Sequence, residues 1–182
     1  EEAANPQQAP PTQVEPQSFV QVVGTLGGMS ALLHAVRDGH GVAAVALLDA
    51  GADIDQASAG DGTTAVTSAV INGHFDLAMR LLEAGADANA SSIAGATPLY
   101  VTVNAQWIPR SRHPQPAARL QQAVTYLELM SALLEAGADP NRRLEMSLWF
   151  TTFGDDYLGV DRMGATPFWR AAYALDIDAM KL

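Results

Sequence analysis

The chain has 182 residues, 48% of them hydrophobic and only 16% charged, with a formal net charge of −10. That length allows one domain with a sizeable core, and the negative charge argues against nucleic-acid binding by the whole surface. The chain has no cysteine, which excludes disulfides and cysteine-ligated zinc.

Residues 1–17 carry Pro6, Pro10, Pro11 and Pro16 among glutamines, a composition that predicts an extended tail or linker with nothing to bury. The folded part is expected over 18–182, with 18–23 as a partial cap on the first unit. The 21 uncharged residues between Glu15 and Arg37 include glycines, Pro16 and His34 and make a poor membrane span.

That first unit, about 26–60, runs from Gly28 through Ser30, Ala35, Gly39-His40 and Leu47-Leu48 to Gly51-Ala52-Asp53. Ser30 is placed to cap one helix, Gly39 to end it in the left-handed conformation, and Gly51 to stop a second. Val45, Leu47 and Leu48 are expected to form the apolar stripe of that second helix. A second unit, about 61–93, repeats the order with Gly62, Thr64, Ala69, Gly73-His74, Leu81-Leu82 and Gly85-Ala86-Asp87. The third, about 94–162, opens at Gly95-Ala96-Thr97-Pro98-Leu99 and closes at Leu133-Leu134 and Gly137-Ala138-Asp139. The fourth, 163–182, opens at Gly164-Ala165-Thr166-Pro167-Phe168 and is incomplete. Thr97 and Thr166 cap helices in which Pro98 and Pro167 sit where a missing N–H is harmless.

The opening glycines lie 34, 33 and 69 residues apart. A period near 33, with two helices and a hairpin per unit, is the signature of ankyrin repeats. From Gly28 onward the chain resembles that family. The implied fold is an all-α (α-rich) solenoid of stacked helix-turn-helix repeats with β-hairpin loops. The resemblance departs at the family's usual histidine after Thr-Pro-Leu. That slot holds Leu33, Thr67, Tyr100 and Trp169 here, so the buried hydrogen bond of that histidine is expected to be replaced, in three of the four units by apolar packing.

Two long insertions, 106–125 and 142–162, lengthen the third unit by 19 and 17 residues and account for the 69-residue spacing. Insertions in repeat proteins map to loops, often on the binding side. The first carries Pro109, Pro114 and Pro116, which forbid a continuous helix, whereas Ala117–Val124 suits a helical turn or two. The second has two β-forming runs about a Gly-Asp turn and is expected to be an extended hairpin. The insertions are expected at opposite ends of their helices, roughly 15 Å apart for about ten residues at 1.5 Å each. The first is basic, with Arg110, Arg112 and Arg119, and the second is acidic.

Two readings compete at each candidate residue. Trp107, Trp149, Phe150 and Tyr157 suit partner anchors, but a small core under each insertion is favoured. Arg110, Arg112 and Arg119 suit carboxylate or phosphate recognition, against a solvated surface. Asp155, Asp156 and Asp161 match no calcium-loop spacing and read as turn residues. His40 and His74 fall in the Gly-His turn, and His34 and His113 belong to no paired motif. No phosphate-binding loop, Gly-x-Ser-x-Gly element or metalloprotease helix occurs.

In ankyrin proteins the hairpin tips and exposed first-helix positions bind partners. The resemblance carries this onto Met29, Arg37, Asp38, Asp61, Thr63, Ile71, Asn72, Ile93, Ala94 and Ala96. It implies a non-catalytic protein-binding or scaffold module without cofactor, metal or small-molecule substrate. The alternatives are a self-associating structural subunit and a regulatory segment of a larger enzyme. The phrases at 72–79 and 164–173 are similar to those of exported bacterial ankyrin proteins of unknown function. That implies a periplasmic or extracellular protein freed of its signal peptide, with a cytoplasmic location as the alternative.

Overall fold

The computed structural model describes residues 27–107, 118–146, 148 and 163–182. Within them the helices are α1 (Ala31–Arg37), α2 (Gly41–Asp49), α3 (Ala65–Ile71), α4 (Phe75–Glu83) and α5 (Pro98–Gln106). A 3-10 turn (Ala118–Gln121), α6 (Tyr126–Glu135), α7 (Pro167–Tyr173) and α8 (Ile177–Lys181) complete the order. Helices of five to ten residues are marginal in water, so their stability comes from packing. They pair as α1–α2, α3–α4, α5–α6 and α7–α8, and the pairs stack: α1 on α3, α3 on α5, α5 on α7. The solenoid expected from the period is therefore the observed fold.

The core runs along the first helices. Leu33, Val36, Val66, Val70, Leu99, Tyr100, Val101 and Val103 are fully buried. Each such aliphatic side chain contributes roughly 1.5–3 kcal/mol on leaving water. The central α5 is buried from Pro98 to Ala105, as a helix with neighbours on all sides must be.

The caps follow the sequence at three of four starts. Ser30, Thr97 and Thr166 accept hydrogen bonds from the amides of Leu33, Tyr100 and Trp169. Thr64 does not cap α3; its hydroxyl instead donates to Thr67 Oγ1 at 3.4 Å inside the core. The expected stripe of α2 is also incomplete. Ala44 is its only buried residue, and Val45 and Val42 are exposed, because α2 belongs to the first pair and packs chiefly on its own α1.

The loops between pairs depart from the expected hairpins: no strand occurs among the described residues. Their amides bond partly within the loop, as Ser58 N–H to Thr63 O and Leu144 N–H to Ala165 O do, and partly to the neighbouring loop. Ala59 N–H donates to Gly28 O, Ile93 N–H to Asp61 O, and Glu145 N–H to Ala94 O. The extended hairpin expected at 142–162 lies mostly outside the described residues.

Candidate interaction surface

The loops form one edge of the stack. In the first loop Asp61 gathers the turn: its carboxylate accepts from Ser58 Oγ (2.5 Å), Thr63 N (3.0 Å) and Thr63 Oγ1 (2.8 Å). Next along, Ile93 is bonded through its amide to Asp61 O, yet its side chain is 59% exposed. Away from the loops, in the turn that ends α1, Arg37 makes a forked pair with Asp38, at 2.8 and 3.2 Å, and its side chain reaches back to donate weakly to Met29 Sδ. This pair keeps the Asp38 carboxyl below its usual range and raises the Arg37 guanidinium. Both side chains are exposed, so the pair adds little stability and stays available to an outside charge.

The other residues proposed for contact divide. Asn72 is turned back onto Ser68 O, and Ile71 and Ala94 are half-buried against the core. Ala96 is fully buried, and Thr63 is nearly so with its hydroxyl held by Asp61; neither can serve as an exposed contact. Their place on the inner side of the loop, where the next pair covers them, is the reason. Arg110, Arg112, Trp149, Phe150 and Tyr157 lie outside the described residues.

The opposite edge holds the turns within each pair. His74 there reaches back to Arg37 O at 3.1 Å and lies against Gly39. A Cβ at Gly39 would stand 2.6 Å from the imidazole, and the residue has φ of +74°. Only glycine suits both demands. At Gly73, with φ of +77°, the neighbour is the Arg119 backbone.

The first insertion is rooted on this edge, between pairs two and four. Its return, the 3-10 turn and residues 122–124, docks on α4. Asp76 accepts from Ala123 N (3.2 Å) and Val124 N (2.8 Å), and Gln122 Oε1 accepts from Asp76 N (3.1 Å). The helical turn expected there is present. Thr125 and Glu128 then form a capping box that starts α6, and those bonds hold the Glu128 carboxyl below its usual range.

At the departing end, Trp107 is gripped twice. Its carbonyl accepts from Arg170 Nη2, and its indole N–H donates to Asp176 Oδ2 at 2.6 Å. Arg170 Nε also donates to Asn104 Oδ1 (2.8 Å), and Asp176 receives Tyr126 O–H (2.9 Å) and Ala179 N–H (3.0 Å). Arg170, Asn104 and Asp176 are all buried. Burial alone would raise the Asp176 carboxyl, but its four donors, the Ala179 and Asp178 amides, the Trp107 indole and the Tyr126 hydroxyl, outweigh that and hold it below its usual value. Burial, and then the bond to Asp176, pushes Tyr126 up to about 12. Sequence reasoning missed this group. The available signal was a cation at 170, in the register of Val101 and Ser68, both buried.

A third row runs along the ends of the second helices. Asp87 N donates to Asp55 Oδ1 (2.9 Å), and Asp139 N to Asn89 Oδ1 (2.7 Å). Asn89 Nδ2 also donates to Gly137 O (2.8 Å). These side chains stitch turns together; no metal-holding cluster occurs among the described residues. Nor is any helix among them long and apolar enough to cross a membrane.

In comparison with known proteins, a family model described as ankyrin repeats (3 copies) matches residues 20–92. No curated protein matches the chain. The match stops before α5, where the insertions break the period, while α5–α6 and α7–α8 continue the same stack.

Proposed function

We propose that the chain is a non-catalytic binding module, a reading supported by the match of residues 20–92 to ankyrin repeats, which are typically modules of protein–protein interaction. Its partner is a protein held against the loop edge and the exposed ends of the first helices. The observation that carries this reading is an apolar side chain, Ile93, fixed on that edge through its amide yet 59% exposed. The exposed charge pair Arg37–Asp38 ends the first helix on the turn side, so an apolar anchor supplies affinity and a separate charge pair supplies orientation. The family comparison supports the non-catalytic part, since it finds repeats and identifies no catalytic domain.

A second reading, self-association, is favoured by the outer side of α7. Phe168 there is 58% exposed, in the register where Leu32, Val66 and Leu99 are buried by the next pair. Light scattering on the eluting chain, at low and moderate salt, separates the two. A monomer at every concentration is the result expected of a module awaiting a different partner. A mass that rises with concentration transfers the reading to a self-assembling subunit.

A further inference from the structure

The α7–α8 pair is joined to the stack differently from the others. On α1, α3 and the part of α5 that faces α3, the buried residues are apolar, such as Leu33, Val36, Val66, Val70, Leu99 and Val101, or neutral, such as Thr67 and Ser68; none is charged. Where α7–α8 meets α5–α6, the buried groups include Arg170, Asn104 and Asp176, with Trp107 and Tyr126 donating into them. Apolar contacts hold over small displacements, because burial is non-directional. Hydrogen bonds to buried ions do not: once the geometry is lost, the ions are left without compensation, and full release into water becomes the better state.

Two further observations weaken the same pair. Leu175 takes a left-handed φ of 57° where the preceding turns have Gly39 and Gly73. It is also 84% exposed, so no packing offsets that strain. In addition, Phe168, Leu175 and Ile177 present apolar surface to water.

We propose that the α7–α8 pair is a releasable unit, latched to the stack through Trp107. The indole and the carbonyl of this one residue hold Asp176 and Arg170 in the docked state. Trp107 is also where the first insertion departs, so latch and insertion are continuous in the backbone. A displacement of the Trp107 backbone moves both latch bonds together. Trp107 is thus a positioning residue acting on the docking of α7–α8.

The test is native-state hydrogen exchange, read by mass spectrometry on the whole chain. In the unmodified protein at low urea, α7 amides are expected to exchange through an opening with a smaller urea dependence than α3 and α4 amides. Trp107→Phe keeps the ring and removes the N–H. It is expected to lower protection of α7 at least tenfold while leaving α3 and α4 within twofold. Tyr126→Phe, which removes only the second side-chain donor to Asp176, is expected to act in the same direction on the same amides. One common urea dependence for α3, α4 and α7 in the unmodified chain overturns the proposal. So does a Trp107→Phe loss spread equally over all three helices, or no loss in α7.

Discussion

Asp55 and Asn89 occupy the same place in successive units and differ by one hydrogen-bond donor. Both accept from the amide of the next unit's turn, but only Asn89 returns a bond, to Gly137 O. Asp55 has no N–H with which to reach the corresponding Gly85 carbonyl. Asp55→Asn is therefore expected to stabilise the fold by about 0.5–1 kcal/mol, and Asn89→Asp to destabilise it by a similar amount, in urea unfolding. Removing one carboxylate from a chain of net charge −10 acts in the same direction.

Asp176 and Tyr126 give the fold two pH limbs. The Asp176 carboxyl is held low in the folded state, so its contribution is present above the unfolded value near 3.9 and is lost as pH falls below it. Tyr126 is raised to about 12, so its contribution is complete below about 10 and is lost as pH rises from there toward 12. Arg170, Asp178 and Lys181 lie on the same pair of helices. The urea midpoint of Asp176→Asn is expected to fall less than that of the unmodified chain between pH 5 and 3. Tyr126→Phe is expected to flatten the alkaline limb. The glycines and capping hydroxyls of this scale were legible in the sequence because each answers a local backbone demand. The Asp176 site was not, because its donors come from residues 69 and 50 positions away.

Among the elements, the turn between α7 and α8 departs most from its counterparts. Leucine at +57° costs roughly 1–2 kcal/mol, and glycine there relieves that while adding about 0.5–1 kcal/mol of backbone entropy. Leu175→Gly is expected to raise stability by about 0.5–1 kcal/mol, read as a higher urea midpoint with unchanged slope. The helices themselves were readable from the spacing of apolar residues and glycines, since their ends are set by nearby residues. What packs on each helix was less readable. Val45 has the pattern of a core residue and is exposed at the first pair, while Thr67 and Asn104 look like surface residues and are buried. Position in the stack, rather than residue type, decides those cases.

Across the whole molecule, stacking gives the chain two unlike edges. On one, the loops are tied to one another by backbone hydrogen bonds and carry Asp61 and Ile93. On the other, the Gly-His turns and the root of the first insertion are consumed by internal contacts: His74 on Arg37 O, Asp76 on residues 123 and 124, Trp107 on Asp176. The repeat period predicted this architecture. The identity of the displayed residues needed the structure, which withdrew Thr63 and Ala96 and left Ile93 exposed.

The central claim, that the loop edge holds a protein partner, is tested most directly by quantitative capture from native extract. The baits are the unmodified chain, an Ile93→Asp variant of the loop edge, and a Glu83→Gln control on the end of α4. The account expects one protein retained equally by the unmodified and control baits and at least tenfold less by the loop-edge variant. Equal retention by all three would contradict it.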